Sequence, residues 1–513
     1  MKSLTIACAA AALSILVSGV GEAQTPAPGA GATPTVREAC AADVAKFCSD
    51  AQDPESRKKC MNAHKIELSE GCISARRAAA HPAQPGGGNE APKNPVSTAS
   101  AAVSGAPPAV VDGGLDSIPS RIAGHGFPSV FAPWNLVENP APNAGTSATP
   151  LSPRGLDIAN VALHDLFFAE WQKLGLKLAN DQKYPVLTPE FTPASIQAAL
   201  RDRAALLAAN PNILILVSVH YNAATPNFLP PDSPYWRHDD VKSRFNANNR
   251  EYGSYRLNFL NPDFQNKVAA LCAALVKTGV YDGCMFDGWH DDEDSAGRVA
   301  LIRKTREAIG EKALIIGNVN QRLPTRSAPY LNGMYMEGFG GPNFFPDWHT
   351  AAANLLWGES HLRKPSLTAL EGWYLCPSQE CHGDAAQIQR RGRADYPRMR
   401  MVTTLSLVFS NGYTVFSDPN PLPTPDHLHD WYPFWDKSLG RPARPIANLD
   451  HPDLSGAYTR AFEKGEVVFN PPSNHPVTVH FDQPHRSAAT GTTGQSFTVA
   501  SGDGDLFLNS ASN

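Results

Sequence analysis

The stretch Val280-Tyr281-Asp282-Gly283-Cys284-Met285-Phe286-Asp287-Gly288-Trp289 decides how the rest of the chain is read. A glycine precedes it, its centre is compact and apolar, and Gly288 signals a turn, so the segment reads as a short buried strand. Its last residue is a carboxylate, Asp287, set directly before a glycine and an aromatic ring. A buried parallel strand ending this way presents its acid at the carboxyl end of a sheet, where β/α barrels keep their reactive groups.

Outward from this strand, apolar runs of strand length alternate with helical segments. Strands are expected at Phe127–Pro133, Asp165–Glu170, Ile213–His220, the opening stretch, Ala313–Val319, Leu331–Glu337, Ser366–Trp373 and Tyr413–Ser417. Helices are expected at Leu156–Leu163, Pro193–Ala209, from Pro262 to Lys277, and at Ser295–Ile309, Trp348–Leu362 and Tyr396–Phe409. Thr192 is placed to cap the second of these, with Pro193 at its first position. The crossover Asn320–Tyr330 is too short for a good helix. Regular alternation argues for a parallel sheet, and eight units argue for closure, so residues 118–440 are read as an α/β protein of the (β/α)8, or TIM, barrel type. From about Arg441 the helical signal stops. Ala457–Phe462 and Glu466–Asn470 look like a hairpin, and Val477–Phe481, Ser496–Ala500 and Asp505–Leu508 add strands to a small C-terminal β domain over residues 441–513.

Residues 1–23 read as a secretory signal peptide, with Lys2, an apolar run from Leu4 to Val20, and small residues around Gly21-Glu22-Ala23. The apolar core is short for a membrane anchor and no stop-transfer charges follow it. A secreted or periplasmic protein with no membrane span is the expectation. Residues 24–35 are a tether. Residues 36–78 carry Cys40, Cys48, Cys60 and Cys72 around a turn at Asp50–Pro54. Their near-symmetric spacing sets Cys48 against Cys60 and Cys40 against Cys72 in an N-terminal disulfide-linked α-hairpin, although four cysteines allow three pairings. So small a unit buries too little apolar surface by itself, and disulfides supply what it lacks. The spacing has no close cysteine pair of the kind zinc prefers. Residues 79–117, rich in Pro, Ala, Gly and Ser, read as a disordered linker. Cys376 and Cys381 are expected to bridge within one rim loop, whereas Cys272 and Cys284 are either a helix-to-strand disulfide or two buried thiols.

The formal net charge of −5, with 18% charged residues and no basic stripe, excludes nucleic acid as an expected partner. There is no phosphate-cradling glycine loop and no Gly-x-Ser-x-Gly nucleophile turn. The acidic run His290-Asp291-Asp292-Glu293-Asp294 lacks the ligand spacing and glycine of a calcium loop, and reads as an acidic helix start. No cofactor and no metal are expected.

Cleavage of a glycosidic bond needs two carboxyl groups flanking it. Asp287 ends the fourth strand, and Glu337 ends the sixth within Gly333-Met334-Tyr335-Met336-Glu337-Gly338-Phe339. Both have the same local form: an apolar strand, an acid, a glycine and an aromatic. A single strand-end acid can equally cap a helix or bind an arginine, but two in matched context make a candidate catalytic pair. Glu371, in Ala369-Leu370-Glu371-Gly372-Trp373, is the alternative to Glu337, and Asp418, Asp165 and Glu170 also compete. Trp134, Trp289 and Trp373 fall at strand ends, where flat rings can stack on sugar faces or simply pack at the rim. His220, Tyr221, Asn318, Asn320 and Asp418 are candidates to bind sugar hydroxyls.

Two resemblances add to this reading. Cys40, Asp43, Phe47-Cys48, Cys60, His64, Leu68-Ser69 and Cys72 resemble the Cys-rich repeat first noted in a Golgi sialoglycoprotein, which implies a small extracytoplasmic module without chemistry and assigns it no partner. From about Phe127 to Asp418 the chain resembles the hypothetical glycosyl hydrolase family 15 of the α-galactosidase-type barrel superfamily. Leu257-Asn258-Phe259-Leu260-Asn261-Pro262, Tyr281 to Asp287 and Met336-Glu337-Gly338 carry the likeness, and Phe462 to Pro471 resembles the start of the β domain in such enzymes. The resemblance implies that Asp287 is the nucleophile and Glu337 the acid/base. Relatives often have aspartate at the second position, so Glu337 is a departure. The expectation is an exported, retaining glycoside hydrolase acting on a carbohydrate. The alternative is a non-catalytic carbohydrate-binding or envelope-associated barrel, whose signature is a carboxylate separation far outside about 5–10 Å.

Overall fold

The computed structural model describes residues 35–51, 53, 56–57, 60–61, 113–139, 156–180, 182–237, 255–340, 347–375, 383–420, 422, 427–436 and 438–510. It divides into two units, Met1–Ala106 and Pro107–Asn513. The stretch expected to be a signal peptide, most of the expected linker, Cys72, Cys376 and Cys381 lie outside the described residues.

In the first unit, helices α1 (Val36–Ala39) and α2 (Ala41–Phe47) follow Thr35, which forms a capping box with Glu38. A disulfide joins Cys48 to Cys60, as the spacing around the turn predicts. Cys40 is also disulfide-bonded. Cys40, Cys48 and Met61 form the small buried cluster.

The second unit holds eight parallel strands whose order around the sheet follows their order in the chain. They are β1 (Phe131–Pro133), β2 (Leu166–Ala169), β3 (Leu214–Val219), β4 (Gly283–Phe286), β5 (Leu314–Asn318), β6 (Gly333–Phe339), β7 (Leu367–Trp373) and β8 (Tyr413–Ser417). A parallel bridge between Val130 and Thr414 brings β8 back to the start of β1 and closes the ring. Every residue of these strands is buried, because the helices cover them outside and layered side chains fill the inside. Helices α3 (Ile118–Gly124), α4 (Ile158–Ala162), α5 (Pro193–Ala209), α6 (Pro262–Lys277), α7 (Ser295–Ile309), α8 (Trp348–His361), α9 (Ala385–Arg393) and α10 (Tyr396–Phe409) surround it. The α3 and α9 helices were not expected from the sequence. Between β5 and β6 the chain forms turns instead of a long helix, in keeping with the short crossover there.

The closed, amino-terminal end of the barrel is pinned by buried polar residues placed just before alternate strands. Before β2, Asp165 accepts from Ser129 Oγ at 2.7 Å and Asn210 Nδ2 at 3.0 Å. Before β4, Asp282 accepts from Arg121, Arg203 and the Ile215 N–H. Before β6, Asn332 Oδ1 accepts from Arg306 at 2.5 Å and the Ile315 N–H at 3.1 Å. Asp282 and Asn332 satisfy strand N–H groups and arginines, and Asp165 a hydroxyl and an amide, that burial would otherwise leave unpaired.

The C-terminal domain is an antiparallel sheet of β9 (Tyr458–Phe462), β10 (Gly465–Asn470), β11 (Val477–Ser487), β12 (Thr493–Val499) and β13 (Asp503–Asn509), in the order β9-β10-β13-β11-β12. It packs on α10, where Arg400 makes a two-pronged bond with Asp503 at 2.9 and 2.7 Å. Cys272 on α6 and Cys284 on β4 are both buried and both free thiols. Among the described residues no helix is long and apolar enough to cross a membrane.

Candidate active site

The carboxyl ends of the strands open on a cavity of about 550 Å3 whose lining includes Trp134, His220, Asp287, Asn318, Glu337 and His427. Two glycines set the acids at its mouth. Gly288 and Gly338 follow Asp287 and Glu337 with φ of +61° and +82°, a left-handed turn that L side chains adopt only with strain. A Cβ at position 288 would also lie 2.7 Å from Asn222 Nδ2. Asp287 stands one residue beyond β4 and is exposed, whereas Glu337 lies within β6 and is 5% exposed.

Asn318, at the end of β5, ties the two acids together. Its Nδ2 donates to Asp287 Oδ1 at 2.8 Å and to Glu337 Oε2 at 2.5 Å. Those two oxygens are therefore no more than 5.3 Å apart, the two bonds laid end to end. Glu337 also accepts from Asn320 Nδ2 at 3.3 Å on Oε2 and from Asn420 Nδ2 at 2.5 Å on Oε1. Three amides hold its carboxyl, yet its pKa is pushed up to about 7. Burial is the largest cause, His427 opposes it, and the charges of Glu371 and Asp287 push the same way as burial.

Glu371 lies behind Glu337, fully buried, and is absent from the cavity lining. It accepts from the Tyr335 hydroxyl and the Ser417 hydroxyl, and its Oε1 is 2.8 Å from His427 Nδ1. Burial alone would raise its pKa, but His427 and these hydroxyl donors together hold it below the usual carboxylate range. The Tyr335 phenol is pushed well above its ordinary value by burial and by the Glu371 and Glu337 charges, so it stays a donor.

The other expected sugar-binding residues divide. Trp134, at φ +52° beyond β1, lines the cavity with its ring 5.0 Å from that of His427. His220 lines it and is exposed. Trp289 and Trp373 are fully buried instead of facing the mouth, and Trp289 Nε1 donates to Ser327 at 3.1 Å. Tyr221 is buried beneath the rim, with its hydroxyl donating to the Gly288 carbonyl at 2.8 Å. Asp418 is buried as the partner of Arg393, Gln389 and Tyr374. Asn318 bonds carboxylates here, a different contact from the sugar hydroxyl expected of it. Asn420 and His427 escaped sequence reading because both sit in the irregular segment after β8, where no periodicity marks an inward side chain. Their only signal was position just past a barrel strand.

No curated protein matches the chain. Among solved structures, the Nostoc punctiforme debranching enzyme is similar at 12% identity, covering 74% of this chain and 98% of its own, with a TM-score of 0.42. An α-amylase from Lactobacillus plantarum is similar at 10% identity, covering 74% of this chain and 98% of its own, also at 0.42. An α-amylase from Malbranchea cinnamomea is similar at 11% identity, covering 77% and 97%, at 0.41. Likenesses this distant carry no argument about activity. The model of the hypothetical glycosyl hydrolase family 15 matches residues 224–466, which contain Asp287, Glu337 and Glu371, and this match supports a glycosidase.

Proposed function

We propose that the barrel is an exported glycoside hydrolase that cleaves O-glycosidic bonds with retention, with Asp287 as nucleophile and Glu337 as acid/base. The single observation that carries this reading is the Asn318 bridge. It keeps an oxygen of each carboxyl within 5.3 Å of the other, close enough for the two groups to flank one glycosidic bond at the about 5–5.5 Å spacing of retaining enzymes. The same bound speaks against a barrel that has lost its chemistry. Glu371, buried behind Glu337 and outside the cavity lining, is poorly placed to replace it.

In the first step an Asp287 oxygen bonds to the anomeric carbon as the bond to the departing oxygen breaks, and Glu337 gives that oxygen its proton. A carboxyl with a pKa of about 7 keeps its proton in about half of the molecules at neutral pH, where an ordinary glutamate would have lost nearly all of it, and so can serve as a general acid. Ester formation removes the Asp287 charge, which had helped to hold the Glu337 pKa up. Glu337, having given up its proton, therefore stays ionised and takes a proton from water as the water displaces Asp287 from the sugar. Trp134 and His220 offer a flat ring and an imidazole to the bound sugar. Export rests on the amino-terminal leader and fits the Cys48–Cys60 disulfide, which persists in oxidising compartments.

The test is the anomer released from a panel of aryl glycosides, followed by proton NMR in the first minutes. Retention is expected, with loss of turnover in Asp287→Asn and Glu337→Gln. An inverted first product, or full activity in either variant, overturns the reading.

A further inference from the structure

The Glu371–His427 contact is a built feature that the two-carboxylate mechanism leaves unused. Two hydroxyls, from Tyr335 on β6 and Ser417 on β8, converge on Glu371, and His427 reaches it from the loop beyond β8. Oxygens of Glu337 and Glu371 and a ring nitrogen of His427 all lie within 4.8 Å of one another. His427 lines the cavity beside Trp134, whereas Glu371 does not.

We propose that Glu371 and His427 form a carboxylate–imidazolium pair that sets the charge state of Glu337 without touching the reacting atoms. The inference rests on reading Glu337 as the acid/base. Both members are positioning residues. The anion and the cation lie close to the same carboxyl, so they act on its proton in opposite directions, the anion holding it on and the cation driving it off. Hydroxyl donors from two neighbouring strands keep the anion in place, and the Trp134 ring packs against the imidazole at 5.0 Å. Asp287 faces the pair from beyond β4 and Tyr335 from β6. On the far side His429 is pushed down to about 4, mainly by burial, and so is neutral at physiological pH; its ring contacts His164 at 3.0 Å. A lone carboxylate behind Glu337 would hold its proton on more firmly and delay its use as base. The pair allows Glu337 to work as acid and as base in the same pH range.

The experiment is a carbon-13 NMR titration of carboxyl-labelled glutamate in the whole chain without substrate, with Glu337→Gln identifying the Glu337 resonance. Relative to the wild type, Glu371→Gln is expected to move the Glu337 midpoint down and His427→Gln to move it up, each by about one pH unit. Midpoints within a few tenths of the wild type, or moving in the same direction in both variants, overturn the proposal. If Glu371→Gln does not fold, His427→Gln decides alone: a rise supports the pair, and no change or a fall refutes it. Because no turnover enters the measurement, its outcome is separate from the catalytic reading. If the midpoints move as stated while the alkaline limb of the pH–rate profile stays still, Glu337 is not the acid/base and the pair stands.

Discussion

Replacing Glu337 by glutamine should stabilise the protein selectively at alkaline pH. The folded-state pKa of about 7 lies above the ordinary value of 4.5, so folding favours the protonated form. Stability from this group is full below about pH 4.5 and is lost as pH rises to about 7, above which the loss is complete. A gap of two and a half pH units at 1.36 kcal/mol each makes the loss about 3 kcal/mol at most. Glutamine cannot ionise and escapes it. Its amide does turn an N–H toward one of the donors Asn318, Asn320 or Asn420, a cost of about 1–3 kcal/mol that is the same at every pH. The informative quantity is therefore the pH dependence of the difference between the two proteins. An entropy of unfolding of about 2.1 cal/mol/K per residue over the roughly 400 residues from Pro107 gives about 1.2 °C per kcal/mol. Between pH 4.5 and pH 8 the melting temperature of Glu337→Gln should gain about 3–4 °C on the wild type, read by differential scanning calorimetry. Parallel melting curves across that range, or a gain by the wild type, would refute the argument that Glu337 is held above its ordinary pKa.

The alkaline limb of kcat/KM should fall with a midpoint near pH 7 on any aryl glycoside turned over, since the free enzyme must carry the Glu337 proton; a limb above pH 9 would contradict it. Asn318→Ala releases both carboxyls from one amide and should lower kcat by about 100-fold with little change in KM, as misplaced reacting groups do. Asp282→Asn weakens the carboxylate bonded to both Arg121 and Arg203, and should cost about 3–5 kcal/mol in urea titrations. Cys272 and Cys284 should resist a thiol reagent in the native protein and react once it is unfolded, because both are wholly buried.

Much of the architecture was legible because parallel barrel strands are buried on both faces, and so read as near-continuous apolar runs such as Leu214–Val219. The Thr192 cap with Pro193 marks the start of α5 as expected, and α6 starts at Pro262 as expected, behind a cap at Asn261. Strand one came out shorter than its apolar run, since Pro128 has no N–H to give to a ladder. The acid–glycine–aromatic pattern located Asp287 and Glu337 because the turn that aims each side chain needs a left-handed residue directly after it. The same pattern could not separate Glu371 from them. What distinguishes Glu371 is depth: hydroxyls from β6 and β8 enclose it, and contacts between strands leave no trace in the local sequence. Trp289 and Trp373 illustrate the same limit, as a strand-end ring turns inward or outward according to the neighbours it meets. Asn420 and His427 come from an irregular loop, where neither period nor turn chemistry indicates direction.

The most direct test of the central claim is to trap the glycosyl-enzyme. The protein is incubated with 2-deoxy-2-fluoro glycosyl fluorides of several sugars, digested, and sequenced by mass spectrometry. One added sugar is expected on the Asp287 carboxyl, blocked in Asp287→Asn, and labelled again but released more slowly in Glu337→Gln. A label on Glu337 or Glu371, or steady turnover of the same sugar with no labelled peptide and an inverted product, would contradict it.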